Sequence, residues 1–179
     1  AAAETLEEQN MPCVYRVHDL PDREKLSGLK EFLSSLNLSL SLGERLRPEM
    51  FNRILTKAKG TEFWNAVNQS ILRAQSQARY DPNNIGHFGL ARPRYAHFTS
   101  PIRRCSDLLV HRALIRGGGF GNDGLRDDEA ERLSQISEHI SNTERRAMVA
   151  ERDANDRYMA AFMAERTGAE FEARINGVT

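Results

Sequence analysis

Two adjacent arginines, Arg103 and Arg104, have the clearest chemical potential of any side chains in this sequence. They follow Ser100 and Pro101, and a proline there indicates a turn because it fixes one backbone dihedral angle. A helical pattern begins directly afterwards, so both guanidinium groups are predicted to lie where a turn leads into a helix. Backbone N–H groups and the positive end of the helix dipole meet at such a place, and an arginine adds a planar fork that matches phosphate oxygens. The sequence therefore predicts an anion-binding corner.

The segments on either side must hold this corner in place. Residues 95–100 alternate aromatic, small and polar side chains before the turn. A helical face then follows, supplied by Asp107, Leu108, Leu109 and Leu114. Thr99 and Ser100 carry hydroxyls and backbone amides suited to phosphate contact, although capping the helix that starts near Ile102 is an equally good role.

Each arginine also has a purely structural alternative, which is to pair with an acid such as Asp107. For Arg104 the pairing role and the phosphate role are evenly balanced. His97 and His111 are weaker contact candidates in the same stretch.

The residues around the two arginines resemble the sequence signature of a known family. H-F-T-S-P-I-R-R over 97–104, followed by D-L-L-V-H-R over 107–112, is similar to the C-terminal signature of the RNB-type exoribonucleases, the ribonuclease II and ribonuclease R family, and nearer to ribonuclease R. Cys105 stands where that family more often has tyrosine, which puts local packing or stacking in doubt. Further stretches with the same resemblance are P-C-V-Y-R-V-H-D-L-P-D-R-E-K-L (12–26), N-I-G-H-F-G-L (84–90) and A-E-R-D (150–153).

The resemblance implies a processive 3′-to-5′ exoribonuclease that hydrolyses single-stranded RNA to nucleoside 5′-monophosphates with Mg²⁺. It implies that Arg103 reaches the scissile phosphate, and that Glu151 resembles a glutamate facing the RNA channel. From its sequence context alone, Glu151 is an ordinary acid on a helix surface. The other expected RNA contacts are Arg104, Thr99, Ser100 and His97.

The same resemblance predicts that the chain is a fragment, because the family's closely spaced metal-binding aspartates have no counterpart here. Asp127, Asp128 and Glu129 precede a long helical pattern, so capping and dipole pairing are their expected role and we assign no metal ligand in this chain. We expect residues 1–168 to be the C-terminal part of an RNB catalytic domain and residues 169–179 to begin the first strand of a truncated OB-fold RNA-binding domain. The expected partners are single-stranded RNA, the missing N-terminal half of the catalytic domain and flanking OB-fold domains. Without that half, the isolated chain is predicted to be inactive, and the alternative is a non-catalytic RNA-binding or docking fragment.

Composition sets few further limits. Lys plus Arg equals Asp plus Glu at 25 each, so nucleic-acid binding must rest on local clustering, and the stretch 92–116 is rich in arginine with Asp107 as its only acid. No apolar run is long enough to span a membrane, and no signal peptide is visible. Cys13 and Cys105 have neither disulfide nor zinc spacing, so a reduced, cytoplasmic setting is expected.

Periodicity predicts an α+β fold that is mainly helical, with a few strands and one long C-terminal helix. One predicted helix has an apolar stripe made of Phe63, Trp64, Val67, Ile71 and Leu72. Residues 78–90 are expected to form a hairpin or tight loop between strands. The glycine-rich stretch 117–124 is predicted to be a flexible linker. The predicted elements are a helix over 1–8, a strand over 13–17, helices over 21–36, 48–59 and 61–77, a connector over 38–46, one helix over 127–165 with a packed apolar stripe, and a strand over 171–179.

Overall fold

The computed structural model describes residues 1–41 and 46–172, and the chain divides into two compact units, Ala1–Ile140 and Ser141–Thr179. Helices dominate and the described strands are short, so the predicted α+β, mainly helical fold is confirmed. Most of the predicted strand over 171–179 and part of the connector over 38–46 lie outside the described residues. The elements are α1 Ala2–Glu8, β1 Tyr15–Val17, α2 Arg23–Ser35, α3 Pro48–Ala58, α4 Trp64–Ala74, β2 Arg79–Asp81, a 3-10 helix Phe88–Leu90, α5 Cys105–Gly118, α6 Asp127–Glu131 and α7 Leu133–Ala164.

Local sequence signals explain where the predicted helices begin. The carboxylate of Asp22 accepts a hydrogen bond from the Glu24 backbone N–H at 2.8 Å and so caps α2. Pro48 is the first residue of α3, where its missing N–H leaves no helical hydrogen bond unmade. Gly60, with a φ of +83°, follows the end of α3 in a backbone conformation that favours glycine. These starts and stops agree with the sequence predictions.

The two strands form one antiparallel pair, in which Arg16 lies opposite Tyr80. The partner of β2 is therefore β1 and not a strand across the following turn, so the predicted hairpin is wrong and the predicted tight loop is right. Two side chains close that loop, because Asp81 accepts from the Asn83 backbone N–H and Asn84 accepts from the Gly86 backbone N–H, both at 2.9 Å.

The first unit contains two hydrophobic cores. One lies under the strand pair and α5, and the other is enclosed by α2, α3 and α4. The main buried side chains of the first are Leu6, Val14, Val17, Tyr80, Leu109, Val110 and Leu133. Those of the second are Leu26, Leu29, Leu33, Leu40, Phe51, Ile54, Val67 and Ile71.

The stripe predicted for α4 is only partly correct. Val67 and Ile71 are buried and Trp64 packs against the second core as a partly buried side chain, as expected. Leu72, however, is 75% exposed, and Phe63 is also exposed. A helix turns about 100° per residue, so Leu72, next to Ile71, falls outside the face that contains Val67 and Ile71.

His18 connects the segments that surround the two cores. Its Nδ1 accepts from the Gly89 backbone N–H at 2.8 Å, so Nε2 carries the proton and donates to the Ser76 carbonyl at 2.6 Å. The His18 backbone bonds to Gly86 and Phe88 as well. The Phe88 ring then meets Phe51 of the second core edge-on, with ring centroids 6.1 Å apart. This buried histidine therefore holds β1, the end of α4 and the 3-10 helix together.

The glycine-rich stretch, predicted to be a flexible linker, begins inside helix α5 and continues as a loop that α5 side chains contact. Helix α5 continues to Gly118, and Gly119 ends it with a left-handed φ of +63°. Arg112 then donates to the carbonyls of Asp123 and Gly124, both at 3.2 Å, and Arg116 donates to the Leu125 carbonyl at 3.0 Å. Two α5 side chains thus tie the loop down.

The long helix predicted over 127–165 is interrupted at Arg132, which separates α6 from α7. Glu129 accepts from the Arg126 backbone N–H at 3.0 Å, so the capping role predicted for the three acids is confirmed for Glu129, while Asp127 and Asp128 form ion pairs with Arg116 and Arg126. The predicted packed stripe is correct for Leu133 and for the partly buried Ile136 and Ile140. The later members of the stripe belong to the second unit, and their packing stays a prediction: Thr143, Ala147, Ala150, Ala154, Tyr158 and Ala161.

Candidate functional site

The predicted corner is a tight turn that ends where α5 begins. The Ser100 carbonyl accepts from the backbone N–H groups of both Arg103 and Arg104, each at 3.2 Å. Helix α5 starts at Cys105, later than the start near Ile102 that the sequence predicts. The Ile102 side chain at the tip is fully exposed, so the turn projects into solvent. No side chain caps the N-terminus of α5, and Ser100 bonds to the turn instead of capping the helix.

Asp107, in the first turn of α5, is the carboxylate that organises this corner. Its side chain is 0% exposed. Its Oδ1 accepts from the Ser100 backbone N–H at 2.8 Å and from Arg104 Nη2 at 2.9 Å, while Oδ2 accepts from the Ser106 hydroxyl at 3.1 Å. Burial alone would raise the pKa of Asp107, but these hydrogen bonds and the Arg104 charge outweigh burial and hold its pKa below the ordinary value. Asp107 is therefore a buried anion.

Arg104 has the structural role that the sequence left as an even alternative. It forms an ion pair with Asp107, and its side chain is mostly buried. Its Nε is buried and has no hydrogen-bond partner among residues 1–41 and 46–172, so the Asp107 carboxylate is the group that balances this guanidinium. Arg104 is therefore engaged inside the corner.

Arg103 is placed differently, although it is the adjacent residue. Its side chain is exposed, and no residue that the structure describes accepts a hydrogen bond from it or pairs with it. Asp107, the acid considered as a structural partner for both arginines, is bound to Arg104. The fork of Arg103 therefore remains available to an external anion.

The basic stretch identified in the sequence is largely neutralised by acids from other parts of the chain. Arg94 pairs with Glu7 of α1, Arg112 pairs with Glu129 of α6, and Arg116 pairs with Asp127 at 2.6 Å. Together with the Arg104 pair, these contacts leave Arg92 and Arg103 as the arginines of the stretch whose side chains make no ion pair with a described residue. Sequence clustering could not reveal this, because Glu7 and Glu129 lie outside the stretch.

Thr99 and Ser100, the hydroxyl-bearing residues before the turn, have some polar groups bound within the chain and others without a described partner. The Ser100 backbone N–H is used by Asp107, so it is not free to bind a ligand. The hydroxyls of Thr99 and Ser100 make no hydrogen bond within the described part of the chain, and Thr99 is exposed. Two hydroxyl groups with no partner among the described residues therefore lie three and four residues before Arg103 in the sequence.

His97 belongs to a row of packed aromatic rings. Its Nδ1 lies 3.0 Å from the Tyr80 hydroxyl, and the Tyr80 and Tyr95 rings both meet it edge-on, at centroid distances of 5.6 and 5.7 Å. His87 continues the row, with its centroid 5.3 Å from Tyr95 and 5.0 Å from His18. Burial, with the nearby His18 and Arg16, lowers the pKa of His87 to about 4. This row was not recognised in the sequence, because its rings come from three separate segments.

A second aromatic contact, beside the turn, involves His111, the other histidine considered as a contact candidate. The His111 ring of α5 packs against Phe98 with centroids 4.4 Å apart, and its Nε2 donates to the Phe98 carbonyl at 2.7 Å. This contact fixes the residue before Thr99 onto α5 and so supports the approach to the turn.

Comparisons with known proteins identify the family of this chain. The RNB domain model matches residues 1–117, which include the whole 100–104 turn. The chain belongs to the RNB family. Ribonuclease R of Aquifex aeolicus (strain VF5) is 40% identical over 173 residues, which are 97% of this chain and 24% of that protein. Ribonuclease R of Escherichia coli (strain K12) is 35% identical over 187 residues, covering 100% of this chain and 23% of that protein.

A solved RNB structure shows the same likeness in three dimensions. The structure of Mycoplasma genitalium RNase R in complex with ribose methylated single-stranded RNA matches 99% of this chain and 28% of that chain, with a TM-score of 0.89 and 29% identity. The chain therefore spans about a quarter of the length of these RNB relatives.

Glu151 is an exposed residue of α7, in the second unit and beyond the matched residues 1–117. Among residues 1–41 and 46–172, no group of three or more His, Cys, Asp or Glu side chains is placed to hold a metal ion. The described residues therefore do not supply the Mg²⁺ ligands, which the resemblance leads us to expect outside this chain. In the same ranges, no helix is both long and apolar enough to cross a membrane.

Proposed function

We propose that this RNB chain is the C-terminal part of the catalytic domain of a processive 3′-to-5′ exoribonuclease that hydrolyses single-stranded RNA to nucleoside 5′-monophosphates. The observation that carries the proposal is the exposed Arg103 side chain, which no described residue engages, beside an Arg104 that is bound to Asp107. The likeness to ribonuclease R along nearly the whole chain supports it.

In this proposal Arg103 is the catalytic residue of the chain. Its guanidinium donates N–H groups to the oxygens of the scissile phosphate and offsets the negative charge that grows there as the P–O bond breaks. An arginine keeps its charge at any physiological pH, so this contribution does not depend on a proton equilibrium. Donors of this kind contribute about 100-fold to 1000-fold in rate.

The other contacts follow from what each side chain has available. The hydroxyls of Thr99 and Ser100 donate to phosphate or to a ribose 2′-hydroxyl next to Arg103. Arg104 acts from within the corner through its contact with Asp107. His97 contributes by supporting the approach to the turn through Tyr80 and Tyr95.

The proposal needs groups that the described residues do not supply. A Mg²⁺ ion would have to be held by residues of the N-terminal half of a catalytic domain, and flanking OB-fold domains would bind the rest of the RNA strand. We place both in polypeptide outside this chain. The pair of free cysteines, Cys13 and Cys105, supports a reduced, cytoplasmic setting.

A second candidate function is a non-catalytic RNA-binding or docking fragment. The lack of a metal-ligand group among the described residues favours it for the chain on its own. We therefore expect the purified 179-residue chain to bind RNA weakly and to hydrolyse none. Magnesium-dependent RNA hydrolysis by the pure chain would contradict this expectation.

The test is a chimaeric nuclease in which residues 1–179 replace the matched segment of Escherichia coli ribonuclease R. We expect Arg103→Ala to lower kcat on a 3′-accessible single-stranded RNA by about 100-fold to 1000-fold. Arg92→Ala is the matched control, because it removes another exposed arginine that makes no ion pair with a described residue. If Arg103→Ala and Arg92→Ala have the same small effect in an active chimaera, Arg103 is a surface residue and the proposal fails.

Glu151 provides a separate expectation of opposite sign. An acid near the path of an anionic strand weakens binding and hastens release, so Glu151→Ala is expected to tighten RNA binding by the chimaera. Fluorescence anisotropy with a labelled RNA oligonucleotide measures the change. Weaker binding would show that Glu151 does not face the strand.

A further inference from the structure

We infer that Asp107 is a positioning residue that assigns different roles to the two arginines, holding Arg104 inside the corner so that Arg103 is the one presented to phosphate. This inference rests on the proposed function, because it names the residue that prepares the same site. Asp107 is fully buried and cannot touch a substrate itself, so any effect on the reaction must pass through its neighbours.

The geometry shows how one carboxylate fixes the whole turn. Asp107 Oδ1 accepts from the Ser100 backbone N–H at 2.8 Å and from Arg104 Nη2 at 2.9 Å. Ser100 begins the turn and Arg104 ends it, so residues 101–103 are anchored at both ends to a single oxygen. The Ser100 carbonyl reinforces the closure by accepting from the Arg103 and Arg104 backbone N–H groups. The backbone N–H of Arg103 is therefore bound to Ser100, whose own N–H is bound to Asp107.

The charge of Asp107 matters as well as its shape. Its Oδ2 accepts from the Ser106 hydroxyl at 3.1 Å, so the carboxylate is surrounded by donors only. An asparagine side chain has the same shape and can keep these contacts, because its oxygen can accept from Ser100 and Arg104 while the Ser106 hydroxyl accepts from its NH₂ group. The substitution therefore removes mainly the charge. A guanidinium in a buried place is strongly destabilised without its counter-charge. Asp107→Asn would therefore release Arg104 toward solvent, where it competes with Arg103 for an anion.

The first test measures arginine exposure in the full 179-residue chain and needs no RNA. Phenylglyoxal modifies accessible guanidinium groups, and mass spectrometry of the turn peptide reports each arginine. We expect Arg103 to react at least about 10-fold faster than Arg104 in the wild type, because a charge-assisted buried pair is worth that factor or more. In Asp107→Asn both arginines are expected to react at similar rates. Equal rates in the wild type, or an Arg104 that stays protected in Asp107→Asn, would overturn the inference.

A milder variant covers the case in which Asp107→Asn does not fold, as judged by circular dichroism. Ser106→Ala removes one hydrogen bond to Oδ2 and leaves the carboxylate charged. It is expected to raise the Arg104 reaction rate by a smaller factor, about 2- to 5-fold. An unchanged Arg104 rate in folded Ser106→Ala, together with a misfolded Asp107→Asn, would count against a positioning role.

The second test is a double-mutant cycle in the chimaeric nuclease, with kcat and KM measured for Arg103→Ala, Asp107→Asn and the combination. Asp107→Asn is expected to lower kcat by about 10- to 100-fold, because a small displacement of a catalytic group has an effect of that size. If Asp107 acts through Arg103, Arg103→Ala should have much less effect in the Asp107→Asn background. If the two substitutions lower kcat independently, so that the factors multiply in the double variant, Asp107 merely stabilises the fold. No effect of Arg103→Ala in the wild-type background would refute the proposed function, and the phenylglyoxal result would then decide the inference alone.

Discussion

Acid should destabilise the first unit through His87, the partly buried histidine in the row of rings. Its Nδ1 accepts from the Leu90 backbone N–H at 3.2 Å, and protonation of that nitrogen would remove the acceptor. Burial, reinforced by His18 and Arg16, lowers the pKa of His87 from 6.5 to about 4. Between these two values the unfolded chain binds a proton that the folded chain does not bind, so stability must fall as the pH falls.

The magnitude follows from the size of the pKa change. One pKa unit is worth about 1.4 kcal/mol, so moving the pKa of His87 from 6.5 to about 4 corresponds to roughly 3 kcal/mol. The ring is only partly buried, and solvent screening reduces the effect. We therefore expect the free energy of unfolding to fall by about 2 kcal/mol between pH 7 and pH 4 on account of this residue.

Urea denaturation at a series of pH values measures this change, with the fluorescence of Trp64, the single tryptophan, as the probe. His87→Asn keeps a hydrogen-bond acceptor near the position of Nδ1 and cannot be protonated, so its stability should vary less with pH than that of the wild type. Leu72→Ala changes an exposed side chain that cannot be protonated, so it is the control and its stability should vary with pH as that of the wild type does. Parallel curves for His87→Asn and the wild type between pH 7 and pH 4 would refute the reasoning.

Two further predictions test the packing. Leu33→Ala should lower the free energy of unfolding by about 2–5 kcal/mol in urea denaturation, because it opens a cavity in the second core. Leu72→Ala changes an exposed side chain of α4 and should alter the free energy of unfolding by less than about 0.5 kcal/mol. Equal effects of the two substitutions would contradict the burial assigned to these leucines. Burial raises the pKa of the Cys13 thiol to about 12, and Cys105 is exposed, so iodoacetamide should label Cys105 in the native chain and Cys13 only after unfolding; rapid labelling of native Cys13 would contradict this.

Sequence reasoning succeeded where a signal is local. Asp22 before α2 and Pro48 at the start of α3 act within one helical turn, so their effect can be predicted from neighbouring residues alone. It failed where the partner is distant. Nothing near β2 indicates that its partner is β1, and nothing near Gly117–Gly124 indicates that Arg112 will bind the loop carbonyls. These contacts depend on the folded arrangement of segments.

The candidate site shows the same division. The turn after Ser100 and the two arginines beside it were found from residue types and spacing. The assignment of Asp107 to Arg104 was not predictable, because an acid three or four residues from each arginine suits both equally well. The basic stretch was overestimated, since Glu7 and Glu129 neutralise arginines from far along the chain. Compensating charges of this kind become visible only in three dimensions.

The hydrogen bonds of His18 have a consequence for how the first unit unfolds. His18 directly follows β1, and its ring bonds to the Ser76 carbonyl, just after α4, and to the Gly89 N–H in the 3-10 helix. Separating the strand pair from helices α2, α3 and α4 would leave a buried ring nitrogen of His18 without its partner, so these two parts are energetically coupled. Amide protons of α3 and of β1 should therefore exchange with solvent in a single cooperative opening, as one foldon, although their apolar side chains belong to separate clusters.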